Sequence, residues 1–250
     1  MTLALVTLSE SPTPDGTLRL QQRGDHDYFI TIDHRVLMSS AQHRSEVALG
    51  SLACRDLTRR RRPRVLLGGL GMGFTLRACL DALPWDAEVT VAELNPVIVD
   101  WCRGPIAPLT GRSLDDPRVT VQVGDFARVL AAASPQSLDA VVIDLYVGPD
   151  GQSPADDPLY GRGACARAFA ALRPGGVFAV WAEAFHPPYD KRLQSVGFAT
   201  DHHRPARGAG RFVVYLATRP QDAPRAVRGP RPRSPGGGPR GGSGAGPRRR

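Results

Sequence analysis

The hydrophobic pattern changes rhythm near residue 63. Upstream, residues 17–37 alternate apolar and polar side chains with the period of two expected of half-buried strands. Thr17-Leu-Arg-Leu-Gln and Tyr28-Phe-Ile-Thr-Ile-Asp flank the turn formers Gly24 and Asp25, which predicts a hairpin or small sheet. Ser40 then reads as an N-cap, and Val47, Leu49, Leu52 and Ala53 predict a helix to about Arg59. The arginine run at 59–62 before Pro63 reads as a solvated joint.

Downstream, short apolar runs alternate with helical patterns. Strands are predicted near 64–68, 88–93, 118–123, 138–144, 176–182 and 211–217, and helices over 73–82, 96–103, 125–133, 160–172 and 189–195. This alternation predicts an α/β fold with a doubly wound, mostly parallel sheet and a small N-terminal β-hairpin subdomain. Ala140-Val-Val-Ile suits a central strand covered on both faces, and Pro174-Gly175-Gly176 reads as a turn into the fifth strand. The predicted divisions are 1–62 (β-subdomain and linking helix), 63–219 (nucleoside-binding domain) and 220–250 (tail). The tail is Pro, Gly and Arg with almost no apolar content, so it is predicted to be disordered.

Charge changes this picture only locally. The net charge is +8, yet residues 219–250 carry nine arginines and one acid, while 1–218 balances at 23 basic and 23 acidic residues. Any weak attraction to polyanions is therefore predicted for the tail and not for the folded part. Cys54, Cys79, Cys102 and Cys165 are scattered, without metal-ligand spacing, and read as reduced, partly buried thiols; no metal is predicted. No apolar run approaches the ~18 residues of a membrane span, and Met1-Thr-Leu-Ala-Leu lacks a basic start. The expectation is a soluble, cytoplasmic protein.

The chemistry concentrates at the carboxyl ends of the predicted strands. Val65-Leu-Leu ends in alternating glycines, Gly69, Gly71 and Gly73, whose backbone admits a ligand that a Cβ would exclude. Twenty residues beyond Gly73, Glu93 closes the second strand, where an acid suits the two hydroxyls of a ribose. Asp125 follows Gly124 after the third strand and is assigned to an adenine amino group, with helix capping as the plain alternative. Asp144 ends the fourth strand, beside the first, and faces the reactive part of a bound nucleoside. His186, His202 and His203 lie among prolines and loops and read as solvent-exposed. The loop is Gly-x-Gly-x-Gly and serves a pyrophosphate poorly, so S-adenosylmethionine fits better than NAD.

Leu66–Arg77, Glu93, Asp116-Pro-Arg-Val-x-Val-x-x-Gly-Asp125, Asp144 and Leu172-Arg-Pro-Gly-Gly176 together resemble the spermidine synthase (polyamine aminopropyltransferase) family. Leu37-Met-Ser-Ser-Ala-Gln-His-Arg-Ser-Glu46 is similar to the segment leading out of that family's β-domain. The resemblance implies a Rossmann-like, class I methyltransferase-type fold. It also implies transfer of an aminopropyl group from decarboxylated S-adenosylmethionine to an amine, releasing methylthioadenosine. Asp144 would then hold and deprotonate the amine, Tyr146 would line the acceptor pocket, and a homodimer would form through the β-domain. Three departures from the family pattern stand out: Met72 replaces a loop aspartate, Val147 a second strand-four aspartate, and Met38 and Arg44 the glutamine and tyrosine of the diamine pocket. Losing the loop aspartate suits a cofactor carboxylate, so methyl transfer from S-adenosylmethionine is the alternative. A non-catalytic nucleoside-binding scaffold is the second alternative.

Overall fold

The computed structural model describes residues 3–150, 154–204 and 212–221. Two sheets organise it. The first is antiparallel, ordered β1-β2-β3-β4: β1 (Leu5–Thr13), β2 (Gly16–Arg23), β3 (Asp27–Ile32) and β4 (Arg35–Ser39). Its inner face buries Leu18, Leu20 and Ile30, the apolar phase of the alternation that predicted it.

The second sheet has seven strands. They are β5 (Arg64–Gly68), β6 (Glu88–Glu93), β7 (Val119–Val123), β8 (Leu138–Ile143), β9 (Leu172–Ala182), β10 (Ala199–His203) and β11 (Val213–Thr218). The order is β10-β11-β9-β8-β5-β6-β7; β5 to β9 pair in parallel, and β11 runs antiparallel to both neighbours. The helices are α1 (Arg44–Cys54), α2 (Phe74–Ala82), α3 (Pro96–Arg103), α4 (Phe126–Ala132), α5 (Arg162–Ala171) and α6 (Pro187–Val196). Val65 and Leu67 of β5 face α1, α2 and α3, whereas Leu66 faces the side of α4, α5 and α6. Every residue of β8 is buried, as a strand covered on both faces requires.

The predicted parallel domain is present, and five local expectations are corrected. The small sheet has an additional strand, β1, whose partly exposed edge carries little inward apolar phase. Ser40 caps no helix; its hydroxyl accepts from Tyr28 N–H at 2.9 Å and donates to the His26 carbonyl at 3.2 Å, and α1 starts four residues later and stops at Cys54. Arg60 is no solvated joint, because it pairs at 2.6 Å with Asp139, a carboxylate buried inside β8. Arg173 (2.5 Å) and the Arg64 N–H (2.9 Å) complete that carboxylate's partners, which a buried charge needs. Pro174-Gly175-Gly176 lies within β9 as an irregularity in its pairing with β8, and does not precede the strand. His202 and His203 are exposed but belong to edge strand β10, while His186 is half-buried just before α6.

All four cysteines are free and buried. Among the described residues no helix is long and apolar enough to cross a membrane. The predicted tail lies almost entirely outside the described residues; Arg219 is the last anchored position, its guanidinium donating to the carbonyls of Phe169 and Leu172.

Candidate active site

Three backbone hydrogen bonds extend the parallel ladder past the strand ends and set the site residues side by side. Asp144 N–H donates to Gly68 O at 2.9 Å, Gly69 N–H to Ala92 O at 2.9 Å, and Gly124 N–H to Glu93 O at 2.8 Å. The carboxyl edge thus presents Asp144, the glycine turn, Glu93 and Gly124-Asp125 in that spatial order, which is where open parallel sheets bind ligands.

The glycine turn is a cradle that side chains would fill. Gly69 has φ +88°, and a Cβ there would run into the Asp144 carbonyl oxygen. Gly71 has φ +52°, and a Cβ would meet the Met38 sulfur at 3.0 Å. From below, the Cys102 thiol approaches Gly71 O at 3.3 Å; burial, followed by the Glu93 charge, pushes that thiol up to about 12. Gly73 sits at the N-terminus of α2 and does not line the cleft; its N–H closes the turn onto Leu70 O at 2.8 Å.

Glu93 is buried and turns its carboxylate to the loop. One oxygen accepts from Leu70 N–H and the other from Asn95 N–H, both at 2.9 Å. Burial pushes its pKa up, while the N–H donors of Asn95, Leu70 and Leu94 pull it back down. Asp125 does both things expected of it, accepting from Ala127 N–H at 2.7 Å as the cap of α4 and lining the cleft.

The cleft between the two sheets measures about 250 Å³. Gly69, Gly71, Glu93, Asp125, Asp144 and Tyr146 all line it, so six of the seven predicted site residues converge. The opposite wall comes from the N-terminal sheet and includes Leu18, Ile30, Ile32 and Met38. Met38 also accepts the Met72 N–H on its sulfur at 3.2 Å, while the Met72 side chain itself points into the core.

Asp144 is the most perturbed acid of the cleft. Burial first, and the charge of Glu46 second, push it up to about 7, against a hydrogen bond from Thr75 Oγ1 at 2.5 Å. Glu46, which ends the segment Leu37–Glu46, carries no role in the sequence reading. It is buried on α1 and lines the cleft, where its charge acts on Asp144; the Thr75 hydroxyl that donates to Asp144 also lies 3.3 Å from the Glu46 main-chain carbonyl. The signal that could have found it is an acid on the buried stripe of α1, beside Leu49, Gly50 and Ala53. Tyr146 stands at the rim, with the Arg35 guanidinium 5.7 Å over its ring. Among the described residues no cluster of three His, Cys, Asp or Glu could hold a metal ion.

Residues 55–193 match the family model described as the spermine/spermidine synthase domain. The chain belongs to this family. Over 121 residues it is 36% identical to putrescine N-methyltransferase 2 of Nicotiana tabacum, covering 48% of this chain and 33% of that one. Over 151 residues it is 35% identical to the polyamine aminopropyltransferase of Mycobacterium tuberculosis (strain ATCC 25618 / H37Rv), covering 56% and 28%. The chain spans about a third of the length of these curated relatives. Among solved structures, spermidine synthase from Thermotoga maritima aligns with a TM-score of 0.66 at 18% identity, covering 87% of this chain and 74% of that one. A spermidine synthase solved with the transition-state analogue AdoDATO aligns with a TM-score of 0.66 at 17% identity, covering 87% and 73%. These structural likenesses establish the shared fold: a Rossmann-like sheet with a separate antiparallel N-terminal sheet.

Proposed function

We propose that this spermidine synthase family member is a transferase that binds decarboxylated S-adenosylmethionine and transfers its aminopropyl group to an amine. One observation carries the reading: five carboxylates line the cleft (Asp15, Glu46, Glu93, Asp125, Asp144), and none of the described lining residues is Arg, Lys or His. Such a cleft favours ligands that are cationic at both reacting partners.

The residues fit the nucleoside. Gly69 and Gly71 leave room for it against bare backbone, Glu93 turns its carboxylate to the cleft where a ribose diol would lie, and Asp125 borders the base. When bound, the sulfonium supplies a carbon activated for displacement and a neutral thioether leaving group. The acceptor is the partner that needs help. An alkylamine has a pKa near ~10.4, so presenting it neutral at pH 7 costs about 4–5 kcal/mol. Asp144 pairs with the ammonium, orients it and takes its proton. A carboxylate raised to about 7 is a stronger base than an ordinary one and still ionised enough to act at neutral pH. Thr75 fixes the rotamer of that carboxylate.

Methyl transfer from intact S-adenosylmethionine is the second reading. It is favoured by the match to putrescine N-methyltransferase and by Met72, which leaves no acid on the loop to repel a cofactor carboxylate. Calorimetry with decarboxylated S-adenosylmethionine, S-adenosylmethionine and methylthioadenosine separates the readings. Tightest binding of the decarboxylated form supports aminopropyl transfer, and preference for the intact form supports methyl transfer. Absence of heat with all three leaves a non-catalytic scaffold.

A further inference from the structure

The negative charge of the cleft is unevenly placed. Glu93 and Asp125 belong to the nucleoside end. Asp15, on the β1–β2 turn, borders a second groove with Leu94, Asn95, Pro96 and Val97, and so stands at that same end. What remains for an acceptor is Asp144 with Glu46, which line the cleft together and lie close enough for the Glu46 charge to act on the Asp144 carboxyl, so the two form a single anionic point. The nearby Tyr160 hydroxyl is already committed, donating to the Val147 carbonyl at 2.6 Å.

Around that point the described wall is apolar. Leu18, Ile30, Ile32, Leu37 and Met38 form it on the N-terminal-sheet side. Pairing of Ile143 with Val180 places Trp181 next to Asp144 across the two strands, so an indole flanks the carboxylate. At the rim, Tyr146 carries the Arg35 guanidinium, a positive charge where a long acceptor would emerge.

We propose that the acceptor is a monoamine, with one ammonium head held at Asp144 and Glu46 and an apolar body lying along the inner face of the N-terminal sheet. A second ammonium would be desolvated against Leu, Ile and Met side chains without a partner, or would meet Arg35. An alkyl or aryl body buries the same surface favourably. The inference rests on the nucleoside reading above and deepens it by naming the substrate class.

The test is calorimetric, on the full chain. Methylthioadenosine is titrated first, and the saturated protein is then titrated with hexylamine, phenethylamine, 1,6-diaminohexane and 1,4-diaminobutane. Hexylamine and 1,6-diaminohexane have equal length and differ by one ammonium. The monoamines are expected to bind tighter by on the order of tenfold or more, the penalty of an unpaired buried charge. Equal affinity, tighter binding of the diamines, or no binding of any amine overturns the proposal while the nucleoside reading stands. Failure of methylthioadenosine to bind overturns the nucleoside reading, and this inference with it.

Discussion

The two walls of the cleft are built by different means. On the sheet wall, Gly69, Leu70, Glu93 and Gly124 hold one another through main-chain donors and acceptors at 2.8–2.9 Å, and the ligand faces backbone and carboxylate. On the other wall, Leu18, Ile30, Ile32 and Met38 project from separate strands, and apolar packing holds them. Hydrogen-bonding geometry recognises one chemical shape, whereas an apolar wall accepts any body of suitable volume. Within one family fold, the end proposed for the nucleoside is therefore rigidly specified and the end proposed for the acceptor is free to diverge. Substitutions should divide accordingly, some removing a wall and others only its selectivity.

The largest effect is expected where the walls meet. Asp144→Asn keeps the acceptor oxygen for Thr75 but removes the base, so turnover should fall by ~10²–10⁴-fold. Nucleoside affinity, which depends on the other end, should be unchanged in calorimetry. A turnover within a few-fold of the parent would show that Asp144 handles no proton. Next comes the cradle. Gly69→Ala combines an unfavourable φ with contact against the Asp144 carbonyl, and should cost on the order of 2–3 kcal/mol in denaturant unfolding while displacing Asp144. Unaltered stability would mean that the turn adapts and the wall is not rigid.

The same contrast explains what the sequence could reveal. The glycine turn, Glu93, Asp125 and Asp144 are local: each sits at the end of a strand whose apolar run is visible, and parallel topology puts such ends together. The apolar wall is not local. Leu18, Ile30 and Ile32 read only as the buried phase of a small sheet, and nothing in their spacing says that this face covers a cleft. Glu46 was hidden for a related reason, since an acid in the first turn of a helix reads as favourable dipole pairing until tertiary packing buries it beside Asp144. Arg60 reads as part of a charge run, and its role exists only because Asp139, far along the chain, is buried in β8. Strands β1 and β10 are not legible in the sequence because both lie at sheet edges with mostly exposed residues, where alternation is weak.

A smaller effect tests the nucleoside wall alone. Glu93→Ala removes the acceptor of the Leu70 and Asn95 N–H groups and the partner for a ribose diol. Methylthioadenosine affinity should weaken by ~1–3 kcal/mol, while amine selectivity in any residual activity stays as it was. Loss of selectivity with preserved affinity would reverse the assignment of the two ends.

The smallest effect is a displacement of a pH profile. Asp144 is held up to about 7 by burial first and by the Glu46 charge second. If its ionised form is the working base, kcat should rise with pH through an apparent pKa near that value. Glu46→Gln removes the neighbouring charge and leaves the burial, so the carboxylate ionises more easily and the midpoint should move to lower pH by less than the whole shift. The other titratable groups facing Asp144 are Tyr160 and Cys79, both raised by their surroundings and neutral through this range, so neither masks the displacement. The sign carries over to stability. A carboxyl raised on folding binds its proton more tightly in the native state, so its contribution is present below the unfolded pKa and is lost as pH rises toward 7. Glu46→Gln should therefore flatten the decline of unfolding free energy over that window, measured by denaturant titration at successive pH values. A steeper decline, or a midpoint moving to higher pH, would separate Glu46 from Asp144 and dissolve the single anionic point on which acceptor recognition is built.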